Sequence, residues 1–257
     1  MRPGDPNIDM LELMAAKLGA LAEQLVFVGG STTGLFITDP LLPPVRVTRD
    51  VDVITEASSR QDYHQLEESL RALGFSPDMR PEAPICRWQI GDLILDLMPT
   101  DETILGFANR WYPDALTKAV TTRLPSGRII RTLTPPHFLA TKLEAFHGRG
   151  NGDYWASHDM EDIVCVIDGR AEIVAEVVVG DAHGGGGGDI VITGGPGIGM
   201  VTKPGLGLEV GGPAINPVPR RNIESNVRAA AGALLEHAGL AITLSVPQGV
   251  EMAKKTL

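Results

Sequence analysis

The sequence predicts an α+β chain, with a mixed sheet flanked by helices over residues 1–178 and a small Gly-rich α+β segment over 189–257, joined by a Gly-rich junction at 179–188. Three observations predict it. Apolar residues recur at helical spacing in some segments of the first part and alternate with strand period in others. All twelve aromatic residues lie between Phe27 and Trp155, so the two parts are different kinds of sequence. The run from Gly184 to Gly188, with maximal backbone freedom and no side chains to pack, marks the seam between them.

Ile8 to Gln24 carries Ile8, Leu11, Leu13, Met14, Leu18 and Leu21 near helical spacing, with Asn7 as its N-cap. Leu25 to Val28 reads as a short buried strand that ends at Gly29-Gly30-Ser31, and Thr32 to Ile37 starts a second helix. Val47 to Ile54 alternates as a strand does. Tyr63 to Leu73 is helical and stops at Gly74. Ile85 to Ile90 and Leu93 to Met98 read as two strands joined by a tight turn at Gly91-Asp92. Thr134-Pro135-Pro136 opens a helix through Phe146, proline being tolerated in a first turn, and Asp159 to Ile167 forms another. In the second part a strand at Ile190 to Thr193, a helix over Asn222 to Ala238 and a strand over Ala241 to Val246 are expected.

Composition limits the function classes. No apolar stretch approaches the roughly 20 residues of a membrane helix, and Met-Arg-Pro-Gly-Asp is no signal sequence, so no membrane partner and a cytoplasmic address are expected. Cys86 and Cys165 have no metal-site spacing and are expected as buried thiols. His64, His137, His147 and His158 likewise lack ligand spacing. Charged residues balance beyond Val178, so the net charge of −10 belongs to the first part. No Lys/Arg cluster appears there, which argues against an extended nucleic-acid surface.

Chemistry concentrates at two motifs. Successive strand residues face opposite ways, so Asp50 and Asp52 project together while Val51 and Val53 enter the core. Like charges at such spacing repel, and a bound Mg²⁺ offsets that cost because hard cations take carboxylate oxygens. Asp96 lies within Leu93-Ile-Leu-Asp-Leu-Met98, where an unpaired charge is costly; on an adjacent strand it can complete a metal site or act as base. Gly29-Gly30-Ser31, at a strand-to-helix turn, offers backbone N–H groups and a hydroxyl to phosphate. Taken singly, each has a plainer reading: a common turn, a solvated edge strand, and for Lys142 a solvated helix position. Asp159 and Asp162 can simply favour a helix N-terminus. Arg49 is expected to face away from the carboxylates as an ion-pair partner.

Together these residues resemble the nucleotidyltransferase superfamily. More narrowly, Phe27-Val-Gly-Gly-Ser31, Thr48-Arg-Asp-Val-Asp52, Leu95-Asp-Leu97, Ala140-Thr-Lys-Leu-Glu-Ala-Phe146 and Asp159-Met-Glu-Asp162 look like AbiEii-type toxin nucleotidyltransferases, over about residues 8–178. The resemblance implies that Asp50 and Asp52 bind Mg²⁺ and that Asp96 assists as third carboxylate. It also implies that Gly29, Gly30 and Ser31 hold the phosphates of an NTP and that Lys142 contacts the triphosphate. The acceptor is a tRNA end, a protein hydroxyl or a small molecule, and a cognate antitoxin is an implied partner. The 18 residues between Ser31 and Asp50 require an inserted loop around Pro40 to Pro44.

In the second part, Gly195-Pro-Gly-Ile-Gly199 has neither dinucleotide nor P-loop spacing. With Val201-Thr-Lys-Pro-Gly-Leu206, Pro213-Ala-Ile-Asn-Pro-Val-Pro-Arg-Arg221 and Ala253-Lys-Lys-Thr-Leu257, it looks like an internal slice of cobalt-precorrin-5B C1-methyltransferase, covering about 184–257. That family transfers a methyl group from S-adenosylmethionine to a corrin ring. Arg220 and Arg221 then suit a corrinoid's acidic side chains or form a solvated turn. Three functions follow as expectations: a Mg²⁺-dependent nucleotidyltransferase fused to a methyltransferase fragment, a chain used for its corrin segment, or a non-catalytic nucleotide-binding module.

Overall fold

The computed structural model describes residues 5–57, 59–150, 153–154, 156–173, 176, 190–195 and 197–202. The junction at 179–188 and the helix and strand expected over 222–246 lie outside the described residues. The elements in order are α1 (Pro6–Leu18), β1 (Val26–Val28), α2 (Thr33–Phe36), β2 (Asp50–Thr55), α3 (Arg60–Ala72), β3 (Ser76–Pro77), β4 (Arg87–Ile90), β5 (Leu93–Pro99), α4 (Glu102–Leu105), α5 (Tyr112–Thr117), β6 (Val120–Arg123), β7 (Ile129–Thr132), α6 (Pro135–Arg149), α7 (His158–Gly169), β8 (Ile190–Gly195) and β9 (Gly197–Thr202). The first seven strands form one mixed sheet in the order β3-β4-β5-β2-β1-β7-β6, as the α+β reading expects. β8 and β9 make a separate antiparallel hairpin in which Gly195 pairs with Gly197.

Two apolar layers cover the sheet. On one face, Phe27, Val51, Val53, Leu95 and Leu97 pack with Leu11, Met14 and Leu18 of α1 and Leu70 of α3. On the other, Val26, Val28 and Ile54 pack with Phe138, Leu139 and Phe146 of α6 and Met160, Ile163 and Val166 of α7. The period-2 pattern of β2 therefore works as expected: Val51 and Val53 are fully buried in the first layer. β2 lies between β5 and β1, so the plainer reading of Asp50-Val-Asp as a solvated edge strand does not hold.

Several boundaries differ from expectation. α1 ends at Leu18, where Gly19 takes a φ of 55°, and a 3-10 turn continues to Gln24. Its N-cap is Asp5, whose carboxylate accepts from the Asn7 N–H at 2.9 Å. Asn7 is fully buried one step inside the helix; its side chain donates to the Arg46 carbonyl and accepts from the Thr48 N–H. Those bonds explain why β2 begins at Asp50 and not at Val47, since Arg46 to Thr48 have an alternative to a strand ladder. The loop required around Pro40 to Pro44 is present. It is tied down by Thr38 and Asp39 N–H groups donating to the Gly169 carbonyl and by Ile37, Leu42 and Val45 packing on Cys165. Cys86 is buried as expected, whereas Cys165 is only half-buried.

Candidate active site

The site is built by register. Asp52 of β2 pairs with Asp96 of the parallel strand β5, and Asp96 pairs in turn with Arg87 of the antiparallel strand β4. Cross-strand partners share a face, and Asp50 lies two residues from Asp52, so all four polar side chains project from the face that α6 and α7 cover. The three carboxylates named from the sequence meet. The guanidinium of Arg87 ties two of them, Asp50 and Asp96: Nε donates to Asp96 Oδ1 at 2.8 Å, and Nη2 donates to Asp96 Oδ2 at 2.7 Å and to Asp50 Oδ2 at 2.8 Å.

Asp52 makes no bond to Arg87. Its burial, then the negative charges of Asp50 and Asp96, push its carboxyl up to about 7, against the lowering pull of Lys142 and Arg149. The carboxylate lies against Gly29, where an added Cβ would come within 1.8 Å of Asp52 Oδ2 and where φ is 72°. Gly29 is thus required both by its left-handed backbone and by the acid beside it. A Cβ on Gly30 would meet Thr48 Cγ2 at 2.8 Å, Arg46 Nη2 at 3.0 Å and Asp162 Oδ2 at 3.2 Å. Ser31 is fully buried, and its hydroxyl donates to the Val28 carbonyl at 3.5 Å.

A second charged cluster adjoins the first. Lys142 is buried, and Nζ contacts Asp159 Oδ1 at 3.1 Å and Asp162 Oδ2 at 2.7 Å, linking α6 to α7. Burial works to lower the Lys142 ammonium, but Asp162 and Asp159 outweigh it and the net shift is upward. Arg149 donates to both oxygens of Asp159, and Arg46 donates to Asp162 Oδ2 at 3.2 Å. Burial would raise the Asp159 carboxyl, yet Arg149 and Lys142 hold it below its usual value. Lys142 is therefore no solvated helix residue, and Asp159 and Asp162 do more than favour a helix N-terminus. Arg49 is exposed and has no ion pair among the described residues, so the expected partner role falls to Arg46 and Arg87.

Sequence reasoning missed Arg87 and Arg46. A signal for Arg87 was available: a two-residue turn at Gly91-Asp92 pairs Ile90 with Leu93, and counting outward pairs Arg87 with Asp96. Arg46 precedes its strand in an irregular segment and carried no comparable sign.

The residues suit a hard divalent cation in donor chemistry, since three carboxylates supply oxygen ligands. As the side chains stand, no group of three or more His, Cys, Asp or Glu among the described residues could hold a metal ion by itself, because Arg87 stands between Asp50 and Asp96; a cation here needs that guanidinium moved or phosphate oxygens added.

Comparison with known proteins gives two sets of likenesses. The model of the CbiD family matches residues 155–257, less than half of the chain. A cobalt-precorrin-5B C(1)-methyltransferase of Polaromonas naphthalenivorans is 44% identical over 164 residues, covering 60% of this chain and 43% of the relative. The enzyme of that name from Dechloromonas aromatica is 74% identical over 70 residues, covering 27% of this chain and 18% of its own length. The chain thus spans less than half the length of these curated relatives. The family match begins upstream of Gly184 and takes in α7, whose Asp159 and Asp162 pair with Lys142 of α6.

Among solved structures, an antigenic nucleotidyltransferase-like protein from Paracoccidioides brasiliensis has a TM-score of 0.42 at 19% identity, covering 64% of this chain and 76% of its own. ANT(2")-Ia in complex with adenylyl-2"-tobramycin has a TM-score of 0.42 at 18% identity, covering 68% and 93%.

Proposed function

We propose that the first part of the chain is a Mg²⁺-dependent nucleotidyltransferase. One observation carries the reading: Asp50, Asp52 and Asp96 converge on one sheet face, with the Asp52 carboxylate against Gly29. A divalent ion held by Asp50 and Asp52 supplies charge neutralisation on phosphate oxygens when bound. Asp96 serves as third carboxylate, taking the proton of the acceptor hydroxyl or completing the ligand set. The Gly29-Gly30-Ser31 turn orients the phosphates through backbone N–H groups. Lys142, Arg149 and Arg46 hold α6 and α7 against the turn and lend positive charge beside it. In the transfer, the acceptor oxygen bonds to the α-phosphorus as the bond to pyrophosphate breaks, and the acceptor's proton passes to a base. The acceptor is a tRNA end, a protein hydroxyl or a small molecule. The test is transfer of labelled nucleotide from an NTP to an acceptor, expected to fall by about a thousandfold or more in Asp50→Ala. Equal transfer by that variant would contradict the assignment.

The family match over 155–257 favours a second reading for the rest of the chain, as an internal slice of an S-adenosylmethionine-dependent cobalt-precorrin-5B C1-methyltransferase. We expect this slice to lack methyl transfer by itself. Its 184–257 stretch has no aromatic side chain and is near the size at which one core becomes marginal. Incubating the full chain with S-adenosylmethionine and the corrinoid precursor checks this: methylated product would overturn the expectation.

A further inference from the structure

We propose that Arg87 is a built-in counter-ion which a divalent cation must displace, so that Arg87 sets the cation affinity of the carboxylate site. The proposal rests on the reading above of Asp50 and Asp52 as cation ligands, in the form in which Asp96 completes the set. Arg87 commits both oxygens of Asp96 and one of Asp50 to hydrogen bonds of 2.7 to 2.8 Å. A cation that takes those oxygens meets a full positive charge within a few ångströms, and the two repel strongly in a half-buried setting. Both positions cannot be held at once.

The geometry allows the exchange. Arg87 is the first residue of β4, behind a turn closed by its N–H donating to the Pro84 carbonyl, and its side chain is 19% exposed. Its neighbourhood is fixed through the backbone: the Leu97 N–H donates to the Cys86 carbonyl and the Asp78 N–H to the Arg87 carbonyl, each at 2.9 Å. Only the side chain needs to move. The hydrogen bonds of Arg87 go to Asp50 and Asp96 and not to Asp52, so the Asp52 oxygens have no bond to the guanidinium to exchange.

The experiment is Mn²⁺ binding to the full chain without nucleotide, followed by the loss of the free-ion electron paramagnetic resonance signal. Arg87→Gln is expected to bind Mn²⁺ about tenfold more tightly than wild type or better. Arg87→Lys, which keeps the charge but loses the planar fork, should fall between them. An Arg87→Gln affinity equal to or weaker than wild type overturns the proposal while leaving the cation site standing. If neither wild type nor Arg87→Gln binds Mn²⁺, or Asp50→Ala binds as wild type does, the cation reading and this proposal fall together. A readout on wild type guards against a misfolded variant: saturating Mg²⁺ should move the Arg87 Nε–H signal in nitrogen-15 spectra, and an unmoved signal overturns the proposal.

Discussion

Replacing Asp52 by asparagine is expected to abolish nucleotidyl transfer and, in the same molecule, to stabilise the metal-free fold above neutral pH. The two effects have one cause. In the folded chain burial, and then the charges of Asp50 and Asp96, push the Asp52 carboxyl up to about 7, against an ordinary value of 3.8. Below about pH 4 it is protonated in both folded and unfolded chains, and the site carries no penalty. As pH rises from 4 to 7 the unfolded chain releases this proton while the folded chain keeps it, so stability falls with pH through that window. Above it the full cost remains, on the order of 2–4 kcal/mol after allowance for residual solvent screening. Asparagine removes the charge and hence the cost. Urea unfolding in chelator should show Asp52→Asn more stable than wild type at pH 8 and level with it at pH 4. Added Mg²⁺ should narrow the gap at pH 8 by stabilising wild type alone. Equal pH dependence in the two proteins would show that Asp52 carries no such strain.

Replacing Lys142 by methionine is expected to cost about 3–5 kcal/mol of folding stability, the usual result of removing one partner from a buried ion pair. Lys142 is 7% exposed and sits between Asp159 at 5% and Asp162 at 1%, so water cannot replace it. Arg149 still serves Asp159, and Arg46 still serves one oxygen of Asp162, which limits the loss. Asp162 loses its shortest contact, at 2.7 Å. Because the pair joins α6 to α7, the urea midpoint should drop for the whole first part, and Lys142→Met with Asp162→Asn should recover part of the loss. An unfolding free energy within about 0.5 kcal/mol of wild type would show the cluster to be ornamental to folding.

Much of this arrangement was legible from residue order. Strand period alone put Asp50 and Asp52 on one face and Val51 and Val53 on the other, and the layers follow that division. The Gly91-Asp92 turn and the helix opening at Thr134 are where local chemistry dictates them: Gly91 has a φ of 57°, and Thr134 caps α6. What escaped depended on distant partners. Asn7 reads locally as a cap, yet its side chain bonds Arg46 and Thr48, nearly forty residues away in sequence, and that contact shortens β2. The β6–β7 hairpin went unseen because its strands are four residues each, β6 is largely exposed, and the order Ile129-Ile-Arg-Thr132 hides the alternate burial of Ile130 and Thr132 in β7. For Lys142 the sequence left a triphosphate contact and a solvated helix position both open, because nothing local announces that Asp159 and Asp162 of α7 will pair with it. The charges of Arg87, Lys142, Arg149 and Arg46 acquire meaning only once strand register and helix packing bring them to the acids.

The most direct test of the central claim, that Asp50, Asp52 and Asp96 act as one cation site for phosphoryl chemistry, is pyrophosphate release from an NTP by the full chain with its acceptor. Release is expected to require Mg²⁺, to stop with chelator, and to be lost in both Asp50→Ala and Asp52→Asn. Release that continues in chelator, or survives either substitution, would contradict it.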